Sequence, residues 1–126
     1  AEIIPENGLR FALEVGTPED IIKFVSFGWD MFDCVIPTRE GRHGRLFVRK
    51  NGDLKGKDFY ETININNEKF KEDFSSVDSQ CDCELCKNHT KSYLRHLFVS
   101  KDPLGMRLAS IHNLKFYLDL MKELRK

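Results

Sequence analysis

Three cysteines stand within six residues in "CDCELC", residues 81–86, and no other segment limits the fold so sharply. A bridge between Cys81 and Cys83 is sterically disfavoured across a single residue. The N-terminal "AEIIPENGLRF" has no basic stretch followed by an apolar one, so no secretory signal is expected, and a cytosolic chain has little use for disulfides. Three thiolates from one tight loop instead supply three corners of a tetrahedron around a soft or borderline cation. The fourth corner must come from farther along, with His89, His96 and His112 as candidates and Cys34 a weaker one because it belongs to a strand. His89 is awkwardly near the loop. His112, read as standing at the start of the last helix, can point back across a helical hairpin. The spacing therefore predicts one structural zinc on Cys81, Cys83, Cys86 and His112, with three free loop cysteines as the competing reading. With four protein ligands such a site staples the chain and activates no water.

Around this clip the chain changes character several times. "LRFALEV" (9–15) reads as a buried strand ending at Gly16. "TPEDIIKFVSFG" (17–28) reads as a helix: Thr17 is placed to cap it, Pro18 falls in the first turn, Asp20 takes the capping-box position and Gly28 stops it. "MFDCVIP" (31–37) reads as a second strand closed by Pro37. Strand, helix and strand joined tightly make a βαβ unit and a parallel sheet. Residues 38–80 read as a small β-rich subdomain, with a hairpin signal at Asn51-Gly52, an exposed loop near 51–60 and a short strand at "TININN". "NHTKSYLRHLFVS" (88–100) is amphipathic, and "SIHNLKFYLDLMKELRK" (110–126) predicts a helix with Leu114, Tyr117, Leu118, Met121 and Leu124 on its apolar side. No apolar run approaches the ~18 residues of a membrane helix.

The net charge of zero conceals segregation. Residues 39–57 carry seven basic and two acidic side chains, and residues 87–126 carry nine and three. Two basic zones on a neutral chain suit a polyanion, although solvated faces explain the charge equally well. The sharper signal is "FDCVIPTREGR" (32–42), where Asp33 at a strand end is followed at once by Arg39 and Arg42. That juxtaposition fits an anionic partner delivered to a carboxylate.

"DMFDCVIPTREGRHGRLF", then "CDCELC", then "HN" leading into the final helix closely resemble the C-terminal part of the bacterial-type tRNA-guanine transglycosylases, the queuine tRNA-ribosyltransferase family. The resemblance covers nearly the whole chain. It implies an α/β fold that is the C-terminal part of a (β/α)8 TIM barrel. Residues 1–37 would be the last strand–helix–strand, 38–112 an inserted zinc-binding subdomain and 113–126 the closing helix. Active sites of such barrels lie at the C-terminal ends of strands, where Asp33 falls.

The same resemblance implies that Asp33 is a nucleophile. It would attack C1′ of the wobble guanosine of a tRNA anticodon, expel guanine and hold a covalent adduct until a deazaguanine base displaces it. It also implies two RNA-contacting segments, Glu14, Val15, Gly16, Thr17, Pro18, Glu19 and Asp20, and Thr38, Arg39, Glu40, Gly41 and Arg42. Lys87, Lys91, Arg95 and Arg107 could extend a phosphate track in this reading, although a solvated helix face explains each of them better. Family members dimerise around the zinc subdomain, so a homodimer or heterodimer is expected, with no membrane partner.

Some positions depart from the family pattern. Glu14 stands where glycine is usual, Trp29 is bulkier than expected, and "DLKGKDFYE" (53–61) looks inserted. The first six barrel strands, with the second essential aspartate and the base pocket, are absent, so this chain alone is expected to be inactive. A non-catalytic tRNA-binding or partner subunit is the alternative within the family, against which Asp33 and Arg39 argue. An unrelated zinc module that binds proteins is a third reading, and the "FDCV" block speaks against it.

Overall fold

The computed structural model describes residues 3–50 and 58–126; the hairpin signal at Asn51-Gly52 and most of the apparent insertion at 53–61 lie outside them. The expected βαβ unit is present. Strand β1 (Phe11–Leu13), helix α1 (Pro18–Ser26) and strand β2 (Met31–Asp33) follow in order, and the strands pair in parallel with Phe11 opposite Met31 and Leu13 opposite Asp33. Thr17 caps α1 by accepting a hydrogen bond from the Asp20 amide at 3.2 Å, and Gly28 follows the helix at φ +95°. Both strands are shorter than the sequence predicts.

The second strand ends at Asp33, not at Pro37, and the arginine segment, expected to open a β-rich subdomain, is a helix. Helix α2 (Ile36–Arg42) begins with Pro37 in its first turn, where a missing N–H costs no hydrogen bond. Gly41, a poor helix former, hid this helix from propensity reasoning. A Cβ there would lie 2.9 Å from the Ser110 amide nitrogen and 3.0 Å from its Cα, so glycine lets α2 rest directly on another helix's backbone.

Strands β3 (Arg45–Arg49) and β4 (Tyr60–Asn64) form an antiparallel pair with Phe47 opposite Thr62. A 3-10 turn (Glu68–Phe70), short helix α3 (Glu84–Asn88) and helix α4 (Lys91–Val99) lead to helix α5 (Pro103–Leu124). Side chains alternate along β3. Leu46 enters a core with Ile65, Phe70, Leu85, Leu94 and Leu108, whereas Phe47 enters another with Ile21, Phe59, Phe116 and Leu120. Helix α5 contributes to both cores and runs unbroken through residues 112 and 113.

Two expectations about α5 are corrected. It starts at Pro103, so His112 lies near its middle and not at its start. Its buried stripe runs through Gly105, Leu108, Ala109, His112, Asn113, Phe116, Tyr117 and Leu120, while Leu114 and Leu118 are 43% and 66% exposed. Counting apolar residues rotated the face, because the true stripe includes two polar side chains that are buried with their hydrogen bonds satisfied.

The β1–β2 sheet has an inner and an outer face. Ala12 and Phe32 turn toward the helices, while Phe11, Leu13 and Met31 are 48–66% exposed on the face that also carries Asp33. Among the described residues no helix is long and apolar enough to cross a membrane.

Candidate metal centre and carboxylate groove

The thiol loop and the middle of α5 meet as the cysteine spacing requires. The Sγ atoms of Cys81, Cys83 and Cys86 and a ring nitrogen of His112 all lie within 4.8 Å of one another. His112 Nδ1 is 3.5 Å from Cys83 Sγ and 3.3 Å from Cys86 Sγ. An ion with bonds of about 2.0–2.3 Å at tetrahedral angles sets such donors roughly 3.5 Å apart, so the group fits a four-coordinate metal. Of the candidates for the fourth ligand, only His112 joins the thiols; His89 instead stacks on Tyr93 with ring centroids 4.9 Å apart. Cys34 lies at the end of β2, outside the group.

The ring's orientation is fixed from behind. His112 Nε2 lies 2.7 Å from the Phe47 carbonyl oxygen, which can only accept, so Nε2 carries a proton and Nδ1 is left to face the thiols. Burial alone would push the His112 imidazole down, but the facing thiols of Cys81 and Cys83 pull it up to about 10. The side chains of Cys81 and Cys86 hold the Cys83 thiol far below its ordinary value, while Cys81 and Cys83 force Cys86 far above it. Three thiols this close cannot all ionise side by side, and a divalent cation removes the conflict.

Asp33 is exposed at the C-terminal end of β2. Asp33 lines an open groove with Glu14, Cys34, Val35, Ile36 and Arg39, so the acid, one arginine of α2 and the residue after β1 share a surface. The chain reversal after β1 is tightly built. A Cβ on Gly16 would fall 2.2 Å from Cys34 Sγ, and the buried Tyr117 hydroxyl donates to the Gly16 carbonyl at 2.5 Å. Val15, Gly16 and Thr17 are therefore held against the residue next to Asp33.

Other members of the two predicted segments are already engaged. Glu19 accepts a hydrogen bond from the Tyr60 hydroxyl, whose ionisation is pushed up by burial and then by that carboxylate. Pro18 is buried, and Asp20 supplies the amide that Thr17 caps. In α2, Glu40 lies 3.7 Å from Arg39 and 3.4 Å from Arg45, while Arg39 and Arg42 are exposed. Thr38 bonds the Val35 carbonyl at 3.3 Å, and Gly41 faces α5. Of the wider phosphate track, Lys91 pairs with Asp73 at 3.6 Å and lies over the Phe70 ring.

Glu14 adopts φ +60°, the left-handed region that disfavours side chains with a Cβ. Replacing it with glycine should raise stability by about 0.5–1 kcal/mol, read as a higher urea midpoint at unchanged slope. The residues missed from sequence are polar and buried: Asp78, which accepts from the Arg49 and Gln80 amides at 2.9 Å, and Asn113 beside the candidate metal ligand His112. The position of Asn113, immediately after a candidate ligand and inside a helix, was the one available signal.

A family model described as queuine tRNA-ribosyltransferase matches residues 1–126. Over 125 residues the chain is 46% identical to the queuine tRNA-ribosyltransferase of Aquifex aeolicus, covering 99% of this chain and 30% of that protein. The proteins of the same name from Francisella tularensis subspecies novicida and tularensis are 47% identical over 126 residues, 100% of this chain and 32% of theirs. The chain thus spans about a third of the length of the curated relatives it matches.

Proposed function

The chain belongs to the queuine tRNA-ribosyltransferase family, and from that membership we propose that it forms the C-terminal part of a tRNA-guanine transglycosylase. The whole enzyme exchanges the wobble guanine of a tRNA anticodon for a queuine-type deazaguanine base in the cytoplasm. Asp33 is the nucleophile. Its carboxylate attacks C1′ of the ribose as the bond to guanine breaks, giving an Asp33–ribose ester. The incoming base then attacks the same carbon and the carboxylate leaves, so two inversions retain configuration. A carboxylate suits both steps, because it stabilises an oxocarbenium-like carbon and departs readily from it. Arg39 and Arg42 hold phosphates and base edges of the anticodon loop, with Thr38, Glu40, Gly41 and the 14–20 segment completing the contact.

One observation carries this reading: Asp33 stands exposed at a strand's C-terminal end in a groove shared with Arg39. The sheet supports the barrel that goes with it. A two-stranded parallel sheet with one apolar face uncovered is incomplete by itself. In a (β/α)8 barrel that face is the interior, and α1 and α5 belong to the outer ring. Zinc is the ion for Cys81, Cys83, Cys86 and His112, since three thiolates and one imidazole make a closed tetrahedral set of its preferred donors. It joins the thiol loop to α5 and takes no part in the reaction.

The test is covalent trapping. The chain is mixed with an anticodon stem–loop RNA and a complementing chain that supplies the remaining two thirds of a relative's length. A band migrating as protein plus RNA on a denaturing gel is expected. Its absence with a complement that is active alongside the Aquifex aeolicus counterpart of this chain overturns the proposal.

A further inference from the structure

The Asn113 side chain is fully buried, and both its donors and its carbonyl oxygen are engaged by backbone. Its Nδ2 donates to the carbonyls of Pro37, at 3.0 Å, and Arg45, at 2.9 Å, while Oδ1 accepts the Phe47 amide at 3.1 Å. The first of these groups lies in the opening turn of α2 and the other two in β3. Two donors on one atom and an acceptor beside it, at this reach, are the equipment of asparagine. Aspartate would set an oxygen against two carbonyl oxygens, and serine is too short.

Helix α2 needs such a tie. It has seven residues, no side-chain cap at Val35 and a glycine inside it, so its own hydrogen bonds hold it poorly. The neighbouring residue of α5, His112, bonds the carbonyl of the same Phe47 whose amide Asn113 holds. The candidate metal ligand and the anchor of the arginine helix are thus consecutive residues gripping the two backbone polar groups of one residue, Phe47.

We propose that Asn113 is a positioning residue, which fixes Thr38–Arg42 beside the Asp33 groove and ties that placement to the metal centre. The proposal rests on the RNA-contacting role assigned above to α2.

Asn113→Asp and Asn113→Ser are compared with the unsubstituted metal-loaded chain in three readouts. These are metal content, amide hydrogen exchange, and binding of a labelled anticodon stem–loop against the same stem with a scrambled loop. Expected in both variants are unchanged metal content and unchanged protection of α4. Protection of the α2 amides should fall about tenfold, and the preference for the anticodon loop should drop by about the same factor. Unchanged α2 protection overturns the proposal. So does loss of metal and α4 protection in both variants, because Asn113 would then hold the whole fold and not α2. If the unsubstituted chain itself does not prefer the anticodon loop, the RNA role of α2 fails, and the exchange data alone judge whether Asn113 holds that helix.

Discussion

Stripping the metal from this chain, or replacing Cys83 with serine, is expected to abolish its folded state at room temperature, not merely to lower the melting point by a few degrees. The thiol loop lies within the larger of the two cores, with Cys83 and Cys86 buried among Leu46, Leu85, Leu94 and Leu108, and His112 is fully buried beside them. Structural zinc in small domains contributes apparent binding free energies of about 10–16 kcal/mol, whereas a whole domain is commonly stable by about 5–15 kcal/mol. The ion therefore decides the outcome. Without it, thiols that cannot ionise together remain packed against an imidazole pulled up to about 10. Serine substitutes a weak neutral ligand for a buried thiolate and leaves the other three groups short of a closed site. Elemental analysis should give one zinc per chain and none in the variant, and the cooperative far-UV transition should vanish with the metal. A metal-free Cys83→Ser chain that still melts within about 3 °C of the parent would sink the structural role of the ion. Acid should act in the same direction. Binding needs deprotonated thiols and a free Nδ1, so protons compete with the metal and its affinity falls as pH decreases.

The second large effect is confined to chemistry. Asp33→Asn keeps the shape of the side chain and removes its capacity to bond to carbon and to stabilise positive charge there. Exchange of labelled guanine by the complemented enzyme should fall on the order of 10⁴-fold or more, as when other covalent nucleophiles are removed, and the RNA adduct should disappear. Metal content and RNA affinity should stay near those of the parent, because Asp33 is exposed at a strand end and contributes to neither core. Asp33→Glu carries the same group about one bond too far and should retain a small residue of activity, roughly a hundredth, since misplacement by about 1 Å costs that much. An asparagine variant that kept a tenth of the exchange rate would move the nucleophile elsewhere.

Much of this arrangement is legible in the sequence where local chemistry decides it. Thr17, Pro18 and Asp20 mark the start of α1 because capping acts within one turn. Three cysteines in six residues announce a candidate metal loop because ligand geometry is local to the loop, and the short list of distant histidines contains His112, the one that joins the thiols. The resemblance reached the family from "FDCV" and "CDCELC" together. What resisted reading was set by distant parts of the chain. Nothing around Gly41 promises a helix, since its reason is the backbone of Ser110, sixty-nine positions away. The buried face of α5 was misjudged because His112 and Asn113 count as polar, although Phe47, Pro37 and Arg45 satisfy them across the core. The strained backbone at Glu14 belongs to the same group: an unusual residue was visible, but its left-handed conformation was not.

Helix α5 threads both apolar clusters on a single rigid rod, with Leu108 and Ala109 serving one and Phe116, Tyr117 and Leu120 the other. Neither half can loosen while this shared axle stays in register. Calorimetric and van't Hoff enthalpies should accordingly agree, and damage at the βαβ end, which meets the helix at Tyr117 and Leu120, should be felt by the thiol loop at His112, roughly 8–12 Å back along the helix at about 1.5 Å for each residue.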